Sequence, residues 1–138
     1  MKTYKEIRDN HTKKVNDLIE ESKGFFAFSD EQMKEGMEKI NITDKKELVS
    51  LSLGMILPRA NVKKYIQGMR DVRAENNKAL KEASKETKNQ AILYELKNYE
   101  CFYTGDIEDV TNFFKNIYSE DEILTVYDKY KSQEEDCF

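Results

Sequence analysis

Residues 47–57 read ELVSLSLGMIL, and the spacing of their apolar side chains decides the fold class. Val49, Leu51 and Leu53 alternate with serines, a period of two that is typical of a half-buried strand. Gly54 interrupts the alternation and predicts a bulge or a hairpin bend, where glycine is common. The apolar residues that follow predict a second strand arm beyond the bend.

A further strand is predicted from Phe25 to Phe28, where the aromatic run FFAF is too short for a helix. This segment and the two arms around Gly54 are expected to pair in a sheet of two or three antiparallel strands. An isolated hairpin is only marginally stable in water, so the sheet must pack on helices. The predicted fold is therefore α+β and mainly helical, with four to six helices and a small antiparallel sheet.

Helical periodicity covers the residues on either side of the predicted first strand. Apolar side chains recur at steps of three and four from about residue 3 to 22, and Gly24 follows as the expected C-cap. Ser29 and Gln32 have the spacing of a capping box. Two amphipathic helices are therefore expected before the strand arms.

A longer helical stripe begins after Asn61, a predicted N-cap, and returns near Tyr99 after a polar interval. One helix across that span would be about 57 Å long, whereas a domain of this size has a radius of gyration of about 14 Å. The helix is therefore expected either to break near residues 75–77 or to project into solvent.

Two shorter helices are predicted in the C-terminal third. Thr104 is expected to cap the first, at about 106–117, with Phe113 facing inward. Ser119 and Glu122 form a second capping box before the other helix. Residues 132–138 are interpreted as a frayed tail, because chain termini are often poorly ordered.

The bulk composition indicates a polar globular chain. It has 138 residues, of which 38% are hydrophobic and 36% are charged, and it is predicted to form a single domain over residues 1–138. No apolar run approaches the length of a membrane span, and no secretory signal pattern opens the chain. Its two cysteines are interpreted as reduced thiols, and a cytoplasmic location is expected.

Charge is distributed unevenly along the chain. Residues 59–97 carry 10 basic and 5 acidic side chains, whereas residues 98–138 carry 3 basic and 11 acidic side chains. Each segment either pairs with the other in the fold or presents a surface to a partner of opposite charge. The basic face consists of Lys63, Lys64, Arg70, Arg73, Lys78, Lys81, Lys85 and Lys88, and it is interpreted either as a solvated helix or as a track for a phosphate backbone.

The acidic segment supplies the predicted partner-binding residues, which cluster at two helix starts. Acidic residues are favourable in the first turn of a helix, so a structural role also accounts for them. If a partner binds here, the predicted contact residues are Asp106, Glu108, Asp109, Glu120, Asp121 and Glu122.

A second group of candidates lies in an aromatic run before this acidic segment. Asn98 and Glu100 are predicted either to cap the adjacent turn or the strands or to contact a ligand or partner. Tyr94 and Tyr99 are predicted either to pack in the core or to contact a ligand or partner. Cys101 is expected to be buried and structural, since its neighbours offer no positive charge to lower its pKa.

Complete catalytic or cofactor-binding motifs are missing from the sequence. His11, the single histidine, is interpreted as a partly buried, hydrogen-bonded ring on an apolar helix face. One histidine and two distant cysteines give no zinc spacing, and no glycine-rich nucleotide loop is present. We therefore predict no catalytic residue, no metal and no cofactor.

Three segments of the chain form a recognisable pattern: FFAFSDEQMKEGMEKI at 25–40, GMILPRANV at 54–62 and YELKNYECFYTGDIEDV at 94–110. Together they resemble a family of small uncharacterised proteins from bacteriophages and other mobile elements. The resemblance covers about residues 24–115. The family pattern has an Asn-His-Glu block before Tyr-Thr-Gly-Asp, and here Tyr99 replaces its histidine. The pattern also has a glycine pair where this chain has Gly54 and Met55. The resemblance implies a mobile-element origin and no specific activity.

Three functional hypotheses follow. The first is a non-enzymatic phage or mobile-element accessory protein that binds and modulates a host protein, such as an anti-defence inhibitor of the anti-CRISPR kind whose acidic surface occupies the groove of a nucleic-acid-binding effector. The alternative is a nucleic-acid-binding accessory protein that uses a basic helix over 59–88. The third is a small-molecule or hydrolytic role at Tyr94–Asp106. Net charge disfavours the second, and the single histidine disfavours the third.

Overall fold

The computed structural model describes residues 2–135 and contains seven helices and three strands within them. In chain order these are α1 Tyr4–Glu21, β1 Phe25–Phe26, α2 Asp30–Lys39, β2 Leu48–Ser50, β3 Met55–Pro58, α3 Val62–Lys81, α4 Lys85–Asn98, α5 Cys101–Thr104, α6 Glu108–Phe113 and α7 Glu120–Glu135. The prediction of a mainly helical α+β fold with a small antiparallel sheet is confirmed.

Contacts within the chain define two compact units. Residues 9–75 form one unit, named here the sheet unit, and residues 2–8 with 76–135 form the other, named the helical unit. The prediction of a single domain over residues 1–138 stays a prediction. Among the described residues, no helix is both long enough and apolar enough to cross a membrane.

The sheet of the sheet unit has the strand order β1-β3-β2, with both pairs antiparallel. Phe25 pairs with Ile56, and Val49 pairs with Leu57. The central strand β3 is buried along its whole length, and Leu57 is fully buried. Met37 of α2 packs with buried residues of β2 and β3, so the sheet is covered by a helix as expected.

The strand prediction was too long at both places. The first strand stops at Phe26 instead of Phe28. The second stops at Ser50, and Leu53 is 86% exposed with a φ of 61°. Leu53 therefore lies at the tip of the β2–β3 hairpin, and placing it on the buried face was wrong. The hairpin closes where the Leu51 amide donates to the Met55 carbonyl at 2.8 Å.

Helix α1 ends in a turn centred on Lys23, which has a φ of 59°, so the prediction of Gly24 as the C-cap was wrong. The Lys23 amide donates to the Glu20 carbonyl at 3.0 Å, and the Gly24 amide donates to the Ile19 carbonyl at 2.8 Å. This pair of bonds defines a Schellman cap. Gly24 matters instead because a Cβ there would approach the Met55 methyl group to 2.7 Å.

Because Lys23 is exposed and left-handed, replacing it with glycine is expected to stabilise the protein. A left-handed backbone is costly for residues with a Cβ, and we expect Lys23→Gly to raise the free energy of unfolding by about 0.5–1 kcal/mol. Lys34→Gly, in the exposed interior of α2, is the matched control and should lower it by about 1 kcal/mol. Urea denaturation of both variants measures these changes, and equal losses in the two would contradict the expectation.

The capping boxes begin α2 and α7 as predicted. Ser29 Oγ accepts a hydrogen bond from the Gln32 amide at 3.2 Å, and Gln32 Oε1 accepts from the Phe28 amide at 2.7 Å. Ser119 Oγ accepts from the Glu122 amide at 3.1 Å. Asn61 differs from its prediction as an N-cap, because its side-chain amide donates to the Ser22 carbonyl at 2.9 Å.

The long helical stripe breaks between Lys81 and Lys85, so the expected break near 75–77 was wrong. Ser84 is the N-cap of α4, and its Oγ accepts a hydrogen bond from the Thr87 amide at 3.2 Å. Thr87 Oγ1 in turn donates to the Lys2 carbonyl at 2.9 Å. The signal for the break was thus the cap at Ser84 and not the thinning of apolar residues before it.

The core of the helical unit lies among α4, α6 and α7, with the first turn of α1. Its buried members include Tyr4, Ile7, Leu80, Ala91, Ile92, Leu96, Cys101, Val110, Phe114, Tyr118, Ile123, Val126 and Tyr127. Burial raises the pKa of Tyr118 to about 12, with a smaller contribution from the Glu122 carboxylate. The Tyr118 hydroxyl donates to the Leu80 carbonyl at 2.7 Å.

The C-terminal helices differ from prediction in three details. An additional short helix, α5, precedes α6, and α6 is shorter than predicted. Thr104 Oγ1 does not cap α6 and instead accepts a hydrogen bond from the Asp106 amide at 3.2 Å within the connecting turn. Phe113 is 45% exposed, so its inward placement was wrong. Helix α7 continues to Glu135. The frayed tail over 132–138 stays a prediction, and 136–138 lie outside the described residues.

Candidate functional site

The six carboxylates predicted to contact a partner are all exposed, and each group is organised by its own helix start. Asp106 Oδ1 accepts the Glu108 amide at 2.9 Å in the turn before α6. Glu122 Oε1 accepts the Ser119 amide at 3.1 Å at the start of α7. Two of the six therefore stabilise the backbone. The other four project from the first turns of α6 and α7, and they are Glu108, Asp109, Glu120 and Asp121.

An exposed aromatic pair lies next to the first acidic group. The ring centroids of Tyr99, at the end of α4, and Phe113, on α6, are 6.1 Å apart. Asp109 precedes Phe113 by four positions on α6, which places both on one face of the helix. Tyr103 of α5 is 74% exposed. Asp109, Phe113 and Tyr99 therefore lie together. The exposed carboxylates and aromatic side chains from the end of α4 to α6 are named here the acidic-aromatic surface: Tyr99, Tyr103, Asp106, Glu108, Asp109 and Phe113.

Tyr94 contacts α1 as well as solvent. The Arg8 guanidinium lies over the Tyr94 ring, 3.9 Å from its centroid, and Arg8 Nη1 donates to the Tyr94 hydroxyl at 3.0 Å. The Tyr4 and Tyr94 rings meet edge to face with centroids 5.6 Å apart. Two aromatic rings and one guanidinium thus hold the first two turns of α1 on α4.

Glu95 is the buried acid of this cluster, with only 4% of its surface exposed. Its carboxyl is hydrogen-bonded to the Tyr4 hydroxyl and to the Asn98 side chain. Burial raises the pKa of Glu95 above the ordinary glutamate value, and the Tyr4 hydrogen bond, the charge of Arg8 and the Asn98 hydrogen bond only partly offset this effect. Burial also raises the pKa of Tyr4, so the tyrosine remains a proton donor across the neutral range.

The other residues of the predicted ligand or partner group lie at the exposed end of α4. Asn98 is exposed and is hydrogen-bonded to the Glu95 side chain, and its contact with a ligand or partner stays a prediction. Glu100 has a φ of 57° and joins α4 to α5. Its side chain is exposed, as is that of Tyr99.

Cys101 is buried, as predicted, with 1% of its surface exposed. Burial raises the pKa of its thiol, and the carboxylates of Asp109 and Asp106 raise it further. The thiolate, which is the nucleophilic form, is therefore disfavoured at neutral pH. Its structural role stays a prediction.

His11 is half-buried, as predicted, but its Nδ1 has no hydrogen-bond partner among the described residues. The prediction that its ring is hydrogen-bonded is therefore not met at Nδ1. Within residues 2–135, no three histidine, cysteine or acidic side chains are grouped so that they could hold a metal ion.

The basic side chains do not follow one helix over residues 59–88, so that part of the nucleic-acid hypothesis was wrong. Residues 59–61 form a separate turn, and α3 ends at Lys81 before α4 begins at Lys85. The basic residues remain mostly exposed on these two helices.

Sequence reasoning missed the cluster formed by Tyr4, Arg8, Tyr94 and Glu95. Tyr4 and Arg8 are four positions apart, as are residues on one helix face, which was a usable signal. Their partner helix begins some 80 positions later, and no local pattern in the sequence specifies that pairing.

A family model described as a family of unknown function, DUF7659, matches residues 3–133. No curated protein and no solved structure matches the chain. The family match covers nearly the whole length, including both units and every candidate site residue above. The chain therefore belongs to the DUF7659 family of unknown function.

Proposed function

We propose that this protein is a non-enzymatic binding protein whose acidic-aromatic surface docks on a basic region of a partner protein. The observation that carries the proposal is the exposed Tyr99–Phe113 pair beside the Asp106–Asp109 carboxylates. Aromatic side chains are frequent anchors of protein interfaces, and like-signed charges around them select a partner of opposite charge. The raised pKa of the buried Cys101 thiol also argues against thiol chemistry.

The biological setting that we propose is a bacteriophage or another mobile element acting in the host cytoplasm. The resemblance of the segments at 25–40, 54–62 and 94–110 to such proteins supports this setting. The partner would be a host protein, and the specific form we propose is anti-defence inhibition, as by anti-CRISPR proteins. In that form the carboxylates occupy a basic groove that normally holds nucleic acid.

A variant that lacks the free carboxylates tests the proposal. Glu108, Asp109, Glu120 and Asp121 are replaced by their amides, while Asp106 and Glu122 stay because they cap backbone turns. Binding to a host protein captured with the wild type should weaken by about tenfold or more. The difference should shrink as salt rises, since exposed charges are screened beyond about 8 Å at physiological ionic strength. Affinity is measured by calorimetry in a salt series.

The matched control is a variant with Lys78, Lys81 and Lys85 changed to glutamate, which should bind the protein partner like the wild type. Capture is repeated with nuclease, so that a nucleic-acid bridge is detected. If only the lysine variant loses binding, or if nuclease treatment abolishes capture of the partner, the protein binds nucleic acid. The acidic-surface proposal is then wrong. Phe113→Ala separates the aromatic contribution, because it removes an exposed ring without changing charge.

A further inference from the structure

The cluster between α1 and α4 holds two buried polar atoms of opposite character without partners. Glu95 Oε2 and Arg8 Nε each have no hydrogen-bond partner among the described residues. Buried polar atoms are rarely left unsatisfied, because each lost hydrogen bond is costly, and such exceptions call for an explanation. Here the two atoms belong to an acid and a base that interact electrostatically.

The Arg8 guanidinium contacts two tyrosine rings in this cluster, those of Tyr94 and Tyr4. Arg8 stacks on the Tyr94 ring and donates Nη1 to the Tyr94 hydroxyl, so its guanidinium is committed to Tyr94. A second contact with the Tyr4 ring, 5.2 Å from the centroid, holds the same orientation. This arrangement leaves the Glu95 carboxyl with hydrogen bonds only to Tyr4 and Asn98.

We propose that Glu95 and Arg8 form a proton switch, in which loss of the Glu95 proton draws the Arg8 guanidinium away from Tyr94 so that Nε pairs with Oε2. Neutral Glu95 tolerates its dry site, whereas a buried carboxylate requires a counter-charge. The cation that acts on Glu95 is Arg8, and the new pair would give both unpaired atoms a hydrogen-bond partner. Tyr94, a candidate contact residue at the surface, then loses its covering guanidinium.

The groups that face Glu95 lower its pKa, but burial raises it by more, so the switch lies above the usual range for a carboxylic acid. Tyr4 and Arg8 face it from α1, and the neutral Asn98 faces it from α4. Burial is the largest influence, and it raises the pKa of Glu95 above 4.5. A raised pKa means that the folded form holds the proton more tightly than the unfolded chain. This stabilisation is complete below about 4.5, the value in the unfolded chain, and is lost as pH rises through the folded-state pKa.

Nuclear magnetic resonance of the whole protein tests the switch. The Glu95 carboxyl carbon and the Arg8 Nε–H resonance are followed from pH 4 to 8. In the wild type both should change with one shared midpoint above 4.5, and exchange of the Arg8 Nε–H with water should slow at high pH. In Glu95→Gln, which mimics the protonated acid, the Arg8 resonance should stay at its low-pH position. Glu86→Gln, at an exposed site on α4, should titrate like the wild type.

Two results would overturn the proposal. The first is a titration midpoint of Glu95 at or below 4.5, which would mean that the folded protein does not hold this proton more tightly than the unfolded chain does. The second is titration of Glu95 while the Arg8 resonance stays fixed. Both are read from the unmodified protein, so the test stands even if Glu95→Gln folds poorly. The urea midpoint of the wild type should also fall as pH rises through the Glu95 transition, and this slope should flatten in Glu95→Gln.

Discussion

Phe114→Ala should lower the free energy of unfolding by about 3–5 kcal/mol, the range for removal of a buried aromatic ring from a core. Phe114 is fully buried, with 0% of its surface exposed. Its ring packs on Tyr118 with centroids 4.9 Å apart and edge to face on Phe113 at 4.8 Å. Since folded proteins are stable by only about 5–15 kcal/mol, this single change should remove a large share of the total.

The adjacent residue provides the control for this substitution. Phe113 is 45% exposed, so Phe113→Ala removes the same chemical group with much less loss of burial, and should cost about 1 kcal/mol or less. Urea denaturation of both variants gives the comparison. Equal losses would mean that Phe114 is not the core residue that the structure indicates.

Gly36→Ala is expected to destabilise the protein by about 1–3 kcal/mol, although alanine is the better helix former by about 1 kcal/mol. Gly36 lies inside α2, and a Cβ there would overlap several ring carbons of Phe25 on β1. The ring packs directly on the helix backbone, so it must move to admit even one methyl group.

The control for this effect removes the ring and not the glycine. In a Phe25→Leu background the smaller side chain should leave room, so Gly36→Ala should then cost less or become neutral. The two single variants and the double variant form a thermodynamic cycle, read from denaturation midpoints. Strict additivity would show that the Phe25–Gly36 contact does not limit the site.

The parts of the fold that the sequence predicted are those specified by local chemistry. The capping boxes at Ser29 and Ser119 involve residues three positions apart, so their spacing is visible in one dimension. Gly54 was predicted to be a bulge or a hairpin bend, and it lies in the hairpin turn with a φ of 76°, which suits glycine. Strand pairing followed from the few short apolar segments available.

Two of the errors arose where a residue adopts a backbone conformation that its side chain disfavours. Lys23 and Leu53 are both left-handed, with φ of 59° and 61°, and no propensity scale places lysine or leucine there. In each case hydrogen bonds of the neighbouring turn impose the conformation. The alternation of apolar residues and serines up to Leu53 therefore predicted a strand, although the strand ends at Ser50.

For the candidate site, exposure of the acidic residues was predictable because charged side chains are rarely buried. Glu95 is the exception, and its burial was not predicted. Leu96 is fully buried beside it, so this part of α4 is covered on more than one side. Recognition of that would have required the pairing of α4 with the first turns of α1.

The helical unit is discontinuous in sequence, and this has a consequence for synthesis on the ribosome. Its residues 2–8 emerge before the sheet unit, whereas residues 76–135 emerge after it. Translation proceeds at roughly 5–20 residues per second, so Tyr4 and Ile7 are synthesised on the order of ten seconds before the core that buries them. Residues 9–75 are complete well before then. Tyr4 and Ile7 are therefore accessible to chaperones while the sheet unit is synthesised, and the helical unit can form only after its second segment has emerged.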